Sequence, residues 1–295
     1  MLTLNQIKST KNAHSLKEVI ITTDDNEKLY CYIAGAGEPI IVLNGGPGLP
    51  SSYLLPQMLD LADTNLVIFY DQRATGKSTG EINEQTMQIA RFVKDIAWII
   101  NHFQFEKVCL LGHSWGAFLA MSYAISYPSE VSKLILLNST PICSEKKDSL
   151  SSSEPDLYEA MISKIMKSKA FLDHDGAGIS KFYEETFKLF FCDETKISDL
   201  NLTMSDEAAV NSVLVHYYFE QTFFKHYDIR EQLKSLRVPS LVIYGKENDL
   251  PAVVSQTISR HLSNSICIGL NGGHFSFIEA KEALFENIHK FLAVN

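Results

Sequence analysis

Short apolar runs alternating with amphipathic helical segments predict an α/β fold, a mostly parallel sheet with helices on both faces and an inserted helical cap. Three observations support this. The apolar runs are continuous, as in strands buried on both faces. The segments between them repeat their apolar residues every three or four positions, as helices do. The alternation also stops over residues 141–235 and then resumes, which marks an insertion.

Taken in order, residues 19–22 and 29–34 read as two strands joined by the polar turn Asp24-Asp25-Asn26. Residues 40–43 form an apolar run ending in a glycine cluster, and 66–70 and 108–111 are two more. Residues 134–137 follow, then, after the interruption, 241–244 and 266–270. Residues 86–103 place Ile89, Phe92, Val93, Ile96, Ile99 and Ile100 on one helical face. Residues 116–127 read as a helix stopped by Pro128. Ala283, Leu284, Ile288, Phe291 and Leu292 mark a final amphipathic helix. The interruption opens on the polar run 149–154 and turns helical and aromatic, with the cluster His216, Tyr217, Tyr218, Phe219, Phe223, Phe224, His226 and Tyr227. The division expected is a core of residues 1–140 and 236–295, with a cap of 141–235.

A chain of 295 residues buries a large core without disulfides or metal. Its formal net charge of −9 argues against nucleic-acid binding, which needs a basic footprint. Cys31, Cys109, Cys143, Cys192 and Cys267 are odd in number and lack metal-ligand spacing, so reduced and mostly buried thiols are expected. Residues 1–15 lack the basic start and apolar stretch of a secretory signal. No apolar run approaches the ~20 residues that cross a bilayer. The expectation is a cytoplasmic chain without nucleic-acid or membrane partners.

The chemistry centres on Gly112-His113-Ser114-Trp115-Gly116, which leaves a strand and opens a helix. A serine on so sharp a strand-to-helix turn needs small residues two positions either side, and Gly112 and Gly116 supply them. The turn lifts the hydroxyl above the sheet near the positive end of the helix. A nucleophilic serine requires a base and an acid that orients it; in an α/β-hydrolase fold these follow in the chain order serine, acid, histidine. His274, in Asn271-Gly272-Gly273-His274-Phe275, follows the last strand and precedes the last helix, where an α/β-hydrolase fold would deliver its base. The acid lies in Gly245-Lys246-Glu247-Asn248-Asp249-Leu250; Asp249 is the choice and Glu247 the rival. Oxyanion donors are expected from the backbone of Trp115 and of Gly46, in Asn44-Gly45-Gly46-Pro47-Gly48. That glycine turn lacks G-x-G-x-x-G, so no dinucleotide site is expected. Neither a metal nor an organic cofactor is required.

Together these motifs resemble the proline iminopeptidase group of α/β hydrolases. Residues 44–48 are similar to that group's H-G-G-P-G, with asparagine first. Asp71-Gln72-Arg73-Ala74-Thr75-Gly76-Lys77-Ser78 is similar to its D-Q-R-G-x-G-x-S, with Ala74 for glycine. Ser114, Asp249 and His274 fall where the group places its triad, and the resemblance covers residues 38–138 and 240–277. It implies peptidase activity on short peptides or amides, with Gly45, His216, Tyr217 and Glu220 as candidate substrate contacts. A small ester is the alternative substrate, and a non-catalytic binding protein on the same scaffold is the non-enzyme alternative. An epoxide hydrolase or dehalogenase would carry aspartate in place of Ser114. Two departures stand out. The group's glutamate before the stretch at 215–219 is replaced by Val213 and Leu214, and the acid loop is one residue longer. Arg73 is expected to be buried and to tie loops together rather than to meet substrate.

Overall fold

The computed structural model describes residues 15–144, 157–247 and 252–294. Its strands are β1 (Lys17–Thr22), β2 (Lys28–Gly35), β3 (Pro39–Leu43), β4 (Leu66–Tyr70), β5 (Val108–His113), β6 (Val131–Leu137), β7 (Ser240–Gly245) and β8 (Ser265–Leu270). They form one eight-stranded sheet in the order β1-β2-β4-β3-β5-β6-β7-β8. The β1–β2 and β2–β4 pairs are antiparallel; every pair from β4 to β8 is parallel. The longer helices are α1 (Ile89–Phe103), α2 (Trp115–Ser126), α3 (Leu157–Met166), α4 (Gly176–Phe187), α5 (Asp206–Gln221), α6 (Ala252–His261) and α7 (Lys281–Leu292).

The apolar runs form central strands because helices cover both faces. Ile40, Val42, Val67, Phe69, Leu111 and Ile135 pack on one side with α7 and the inserted helices. Ile41, Leu43, Ile68, Leu110 and Leu134 pack on the other with α1, α2 and α6. Helix α2 is buried all round from Trp115 to Ala124, so its sequence shows no polar face. The order reverses at β3, whose neighbours are β4 and β5; such a switch opens a crevice at the strand ends.

Two elements differ from expectation. Helix α1 begins at Ile89 rather than residue 86, because the Asn83 side chain captures the amides of Gln85 and Thr86 in a turn of its own. Strand β8 is an edge strand, with Ile266 and Cys267 exposed although the run is apolar. Cys192 is also exposed, while Cys31, Cys109 and Cys143 are buried.

The insertion between β6 and β7 is helical. Ser205 caps α5 by accepting the Ala208 amide, and Asp206 and Glu207 complement the helix dipole in its first turn. Its two ends meet: the Ile229 amide donates to the Ile142 carbonyl at 3.0 Å, and the Ser144 amide to the Tyr227 carbonyl at 2.9 Å. No helix among the described residues is long and apolar enough to cross a membrane.

Beneath the crevice lies the segment after β4. Arg73 is 1% exposed and binds Asp95 through Nε at 2.8 Å and Nη2 at 2.6 Å, and Asp25 through Nη1 at 3.1 Å. Burial opposes its charge, but the bonds and charge of Asp95, then Asp25, outweigh that and strengthen its hold on the proton. Arg73 therefore ties loops together, as its position suggested. Arg73→Met strands a buried carboxylate at Asp95. The expected cost is about 3–5 kcal/mol, read as a lower urea midpoint, with Arg73→Met/Asp95→Leu recovering most of it.

Candidate active site

Ser114 stands alone between β5 and α2, with φ 55° and ψ −121°. A Cβ at Gly112 would overlap the Gly116 carbonyl, and one at Gly116 would overlap the Leu43 carbonyl. Both positions must be glycine for the turn to close against β3. The Ser114 amide donates to the Leu137 carbonyl at 2.9 Å, which fixes the turn over β6. A serine at a helix start ordinarily caps it, yet the Ser114 hydroxyl makes no cap bond to α2.

Register brings the glycine loop to this turn, because Leu43 of β3 pairs with Gly112 of β5. A Cβ on Gly45 would come within 3.1 Å of the Ser114 Cβ, so Gly45 lies directly against the serine. Gly46 takes φ 119°, which favours glycine, and precedes a cis Pro47. The loop is held from below: the Asn44 carbonyl accepts from Gln72 Nε2 at 2.8 Å, and Gln72 Oε1 accepts from the Trp115 indole at 3.0 Å. Asp71 accepts the Ser51 amide and hydroxyl and the Lys77 amide, each at 2.8 Å. Burial nonetheless raises its pKa.

His274 follows β8 and is 2% exposed. Its amide donates to the Phe190 carbonyl at 3.0 Å, and its carbonyl faces His113 Nε2 at 3.0 Å. The two imidazole rings are 4.8 Å apart. The preceding Gly273 donates its amide to Glu279 Oε2 at 2.8 Å, and its carbonyl accepts from Asn138 Nδ2 at 3.3 Å. Glu279 Oε1 also accepts the amides of Cys192 and Asp193, both at 2.9 Å, so one carboxylate joins the histidine loop to the insertion. Of the two acid candidates, Asp249 lies outside the described residues. Glu247 is exposed just past β7, its amide donating to the Gly272 carbonyl at 3.3 Å.

Helix α5 lies over the glycine loop, for a Cβ on Gly48 would overlap the Ser212 carbonyl. One turn further on, His216 is buried, its Nε2 3.2 Å from Glu220 Oε1, and Tyr158 stacks on its ring at 5.4 Å. Tyr158 touches Phe190, which reaches the His274 ring at 5.7 Å. From the other side Phe219 and Phe224 meet Trp115 at 4.9 and 5.7 Å. The structure thus gathers Ser114, Trp115, Gly45, Gly46 and His274, and links His216 and Glu220 to them through aromatic contacts. Tyr217 is 42% exposed. The sequence reading missed Tyr53, Asn138 and Glu279, whose only signals are lone polar residues in loops or at strand and helix ends. It treated Gln72 as part of a motif and His113 only as a neighbour of the nucleophile.

Residues 38–281 match the model of the alpha/beta hydrolase fold, and the chain belongs to that family of hydrolases. Within it the chain is related to proline iminopeptidases. It is 26% identical over 290 residues to the one from Saccharolobus solfataricus, covering 90% of this chain and 87% of the relative. It is 28% identical to that of Heyndrickxia coagulans, covering 88% and 91%. Among solved structures, an esterase from Exiguobacterium antarcticum superposes with a TM-score of 0.73 at 22% identity, covering 94% of this chain and all of the esterase. At that identity the likeness speaks to the fold.

Two outcomes follow from this geometry. A positive φ at a side-chain-bearing residue stores about 1–3 kcal/mol, so Ser114→Gly is expected to raise the urea midpoint. Glu279→Ala leaves three amides without their acceptor. It is expected to cost about 1–3 kcal/mol, with faster hydrogen exchange at Cys192, Asp193 and Gly273 and little change at the β5 amides.

Proposed function

We infer that this hydrolase works by acyl transfer through a Ser114–His274–Asp249 triad, as an aminopeptidase of proline iminopeptidase type. The observation that carries the reading is the Ser114 turn: a hydroxyl not engaged in capping its helix, against a glycine loop and beside the strand-end loop of His274. In the reaction Ser114 Oγ attacks the scissile carbonyl while His274 takes its proton, and Asp249 steadies the imidazolium. The amides of Trp115 and Gly46 receive the oxyanion. The leaving amine takes the proton from His274, and water, activated by the same imidazole, releases the acyl group and restores Ser114. The helical insertion serves as the cap over this centre.

For the substrate, near full-length relatedness to proline iminopeptidases supports short peptides or amino-acid amides with a free amino terminus. A buried ammonium group needs a carboxylate. With Val213 and Leu214 at the positions before His216, the half-buried Glu220 is the cap acid that meets that need. One observation favours a second reading, a carboxylesterase acting on small esters. Glu220 is already bonded to His216, and Tyr158 and Phe224 pack their rings on that His216.

Prolyl and alanyl naphthylamides assayed beside short p-nitrophenyl esters separate the two. Serine-dependent cleavage favouring the prolyl amide is expected, with Ser114→Ala lowering kcat by at least ~10⁴-fold. Glu220→Gln is expected to raise KM for the amide about tenfold or more and leave ester turnover unchanged. Ester cleavage without amide cleavage rejects the peptidase reading; undiminished turnover by Ser114→Ala rejects the mechanism.

A further inference from the structure

We propose that Tyr53 and His113 are positioning residues of the Ser114 centre, acting as one directed hydrogen-bond relay from the glycine loop to the backbone of His274. The proposal rests on the serine-hydrolase reading and deepens it. Three bonds define the relay. The Gly45 amide donates to Tyr53 Oη at 2.6 Å, Tyr53 Oη lies 2.7 Å from His113 Nδ1, and His113 Nε2 lies 3.0 Å from the His274 carbonyl.

The direction follows from proton counting. An amide can only donate, so Tyr53 Oη is the acceptor at its first bond. A phenol carries one proton, and the remaining partner, His113 Nδ1, must receive it. Nδ1 is therefore bare, and the ring proton sits on Nε2, where the His274 carbonyl accepts it. Burial pushes the Tyr53 phenol far above its usual pKa, so it keeps the proton it donates. An imidazolium at His113 would aim a second N–H at an oxygen that already receives one. The relay thus selects one neutral tautomer of His113.

Each end of the relay lies at a part of the catalytic apparatus. Gly45 immediately precedes Gly46, so anchoring its amide fixes the chain that offers the Gly46 N–H to the oxyanion. The other end holds the backbone of the base. Between them, His113 is covalently attached to Ser114. Loops after β3, β5 and β8 are therefore aligned on one another by a single imidazole, independently of the triad's side-chain contacts. Tyr53 and His113 are 1% and 2% exposed, so water cannot take the place of a lost partner. Their rings also pack edge-on at 5.8 Å, and Phe277 abuts both at 6.2 and 5.1 Å.

A purely structural role predicts a loss of stability alone; a positioning role predicts a loss of rate in protein that remains folded. The test measures acylation of Ser114 by a fluorophosphonate, together with steady-state hydrolysis and melting curves. Tyr53→Phe and His113→Leu are expected to acylate about tenfold to a hundredfold more slowly, with the steady-state loss in kcat rather than KM. His113→Asn retains an acceptor for Tyr53 and is expected to react faster than His113→Leu. The double variant Tyr53→Phe/His113→Leu is expected to lose no more than the worse single variant, because the bonds act as one unit. Folded Tyr53→Phe with the wild-type acylation rate, or with a loss in KM alone, overturns the proposal. If the variants do not fold, ¹⁵N NMR of histidine-labelled wild type decides: protonated Nε2 with bare Nδ1 at His113 is expected, and protonated Nδ1 overturns the relay. Failure of wild type to label at Ser114 would instead reject the serine-hydrolase reading, and the tautomer measurement would stand apart from it.

Discussion

Parallel pairing of β3 with β5, in the register that sets Leu43 opposite Gly112, is the constraint on which the site depends. It brings the end of β3 so close to the start of α2 that no side chain fits at Gly116, and the turn itself leaves none at Gly112. The chain must pass from strand to helix within one residue. That residue is Ser114, held at a positive φ with its hydroxyl uninvolved in its own helix. The packing that makes the turn costly is the packing that presents the Ser114 hydroxyl.

A second layer of polar contacts keeps this arrangement in place. The segment after β4 works in three directions at once. Asp71 gathers Ser51 and Lys77, Gln72 bridges the glycine loop to Trp115, and Arg73 anchors to Asp95 and Asp25. Ser51, Asp71, Gln72, Arg73 and Asp95 are buried, and their bonds go to partners of fixed geometry. Networks of this kind specify a single arrangement, since any alternative leaves a desolvated polar group unmatched. Asn138 and Ser276 do the same beneath the histidine loop, where Ser276 Oγ donates to Asn138 Oδ1 at 2.7 Å.

The insertion is attached by both polar and aromatic contacts. Glu279 joins the histidine loop to Cys192 and Asp193, while Phe190, Phe219 and Phe224 pack on His274 and Trp115. Helix α5 rests on the glycine loop at Ser212. A change in the insertion is therefore felt at the glycine loop and at His274 through direct contact. Tyr158 and Phe224 pack on the His216 ring, so the His216–Glu220 pair lies against aromatic surface.

From the sequence alone, the α/β alternation, the helical interruption, the Ser114 turn and the loop of His274 were all legible. They are local: continuous apolar runs, helical spacing and glycines two residues either side of a serine each state their own geometry. The edge position of β8 was not legible, because an apolar run reads alike whether one or two strands flank it. Nor was the start of α1, which the Asn83 side chain decided. Tyr53, His113 and Glu279 owe their roles to partners far along the chain: Tyr53 is 60 residues from His113, and His113 is 161 from the His274 carbonyl. Hydrogen bonds over such separations leave no periodicity and no spacing in the sequence. Only the assembly of the sheet, which brings the C-terminal ends of β3, β5 and β8 to the same end of it, creates them.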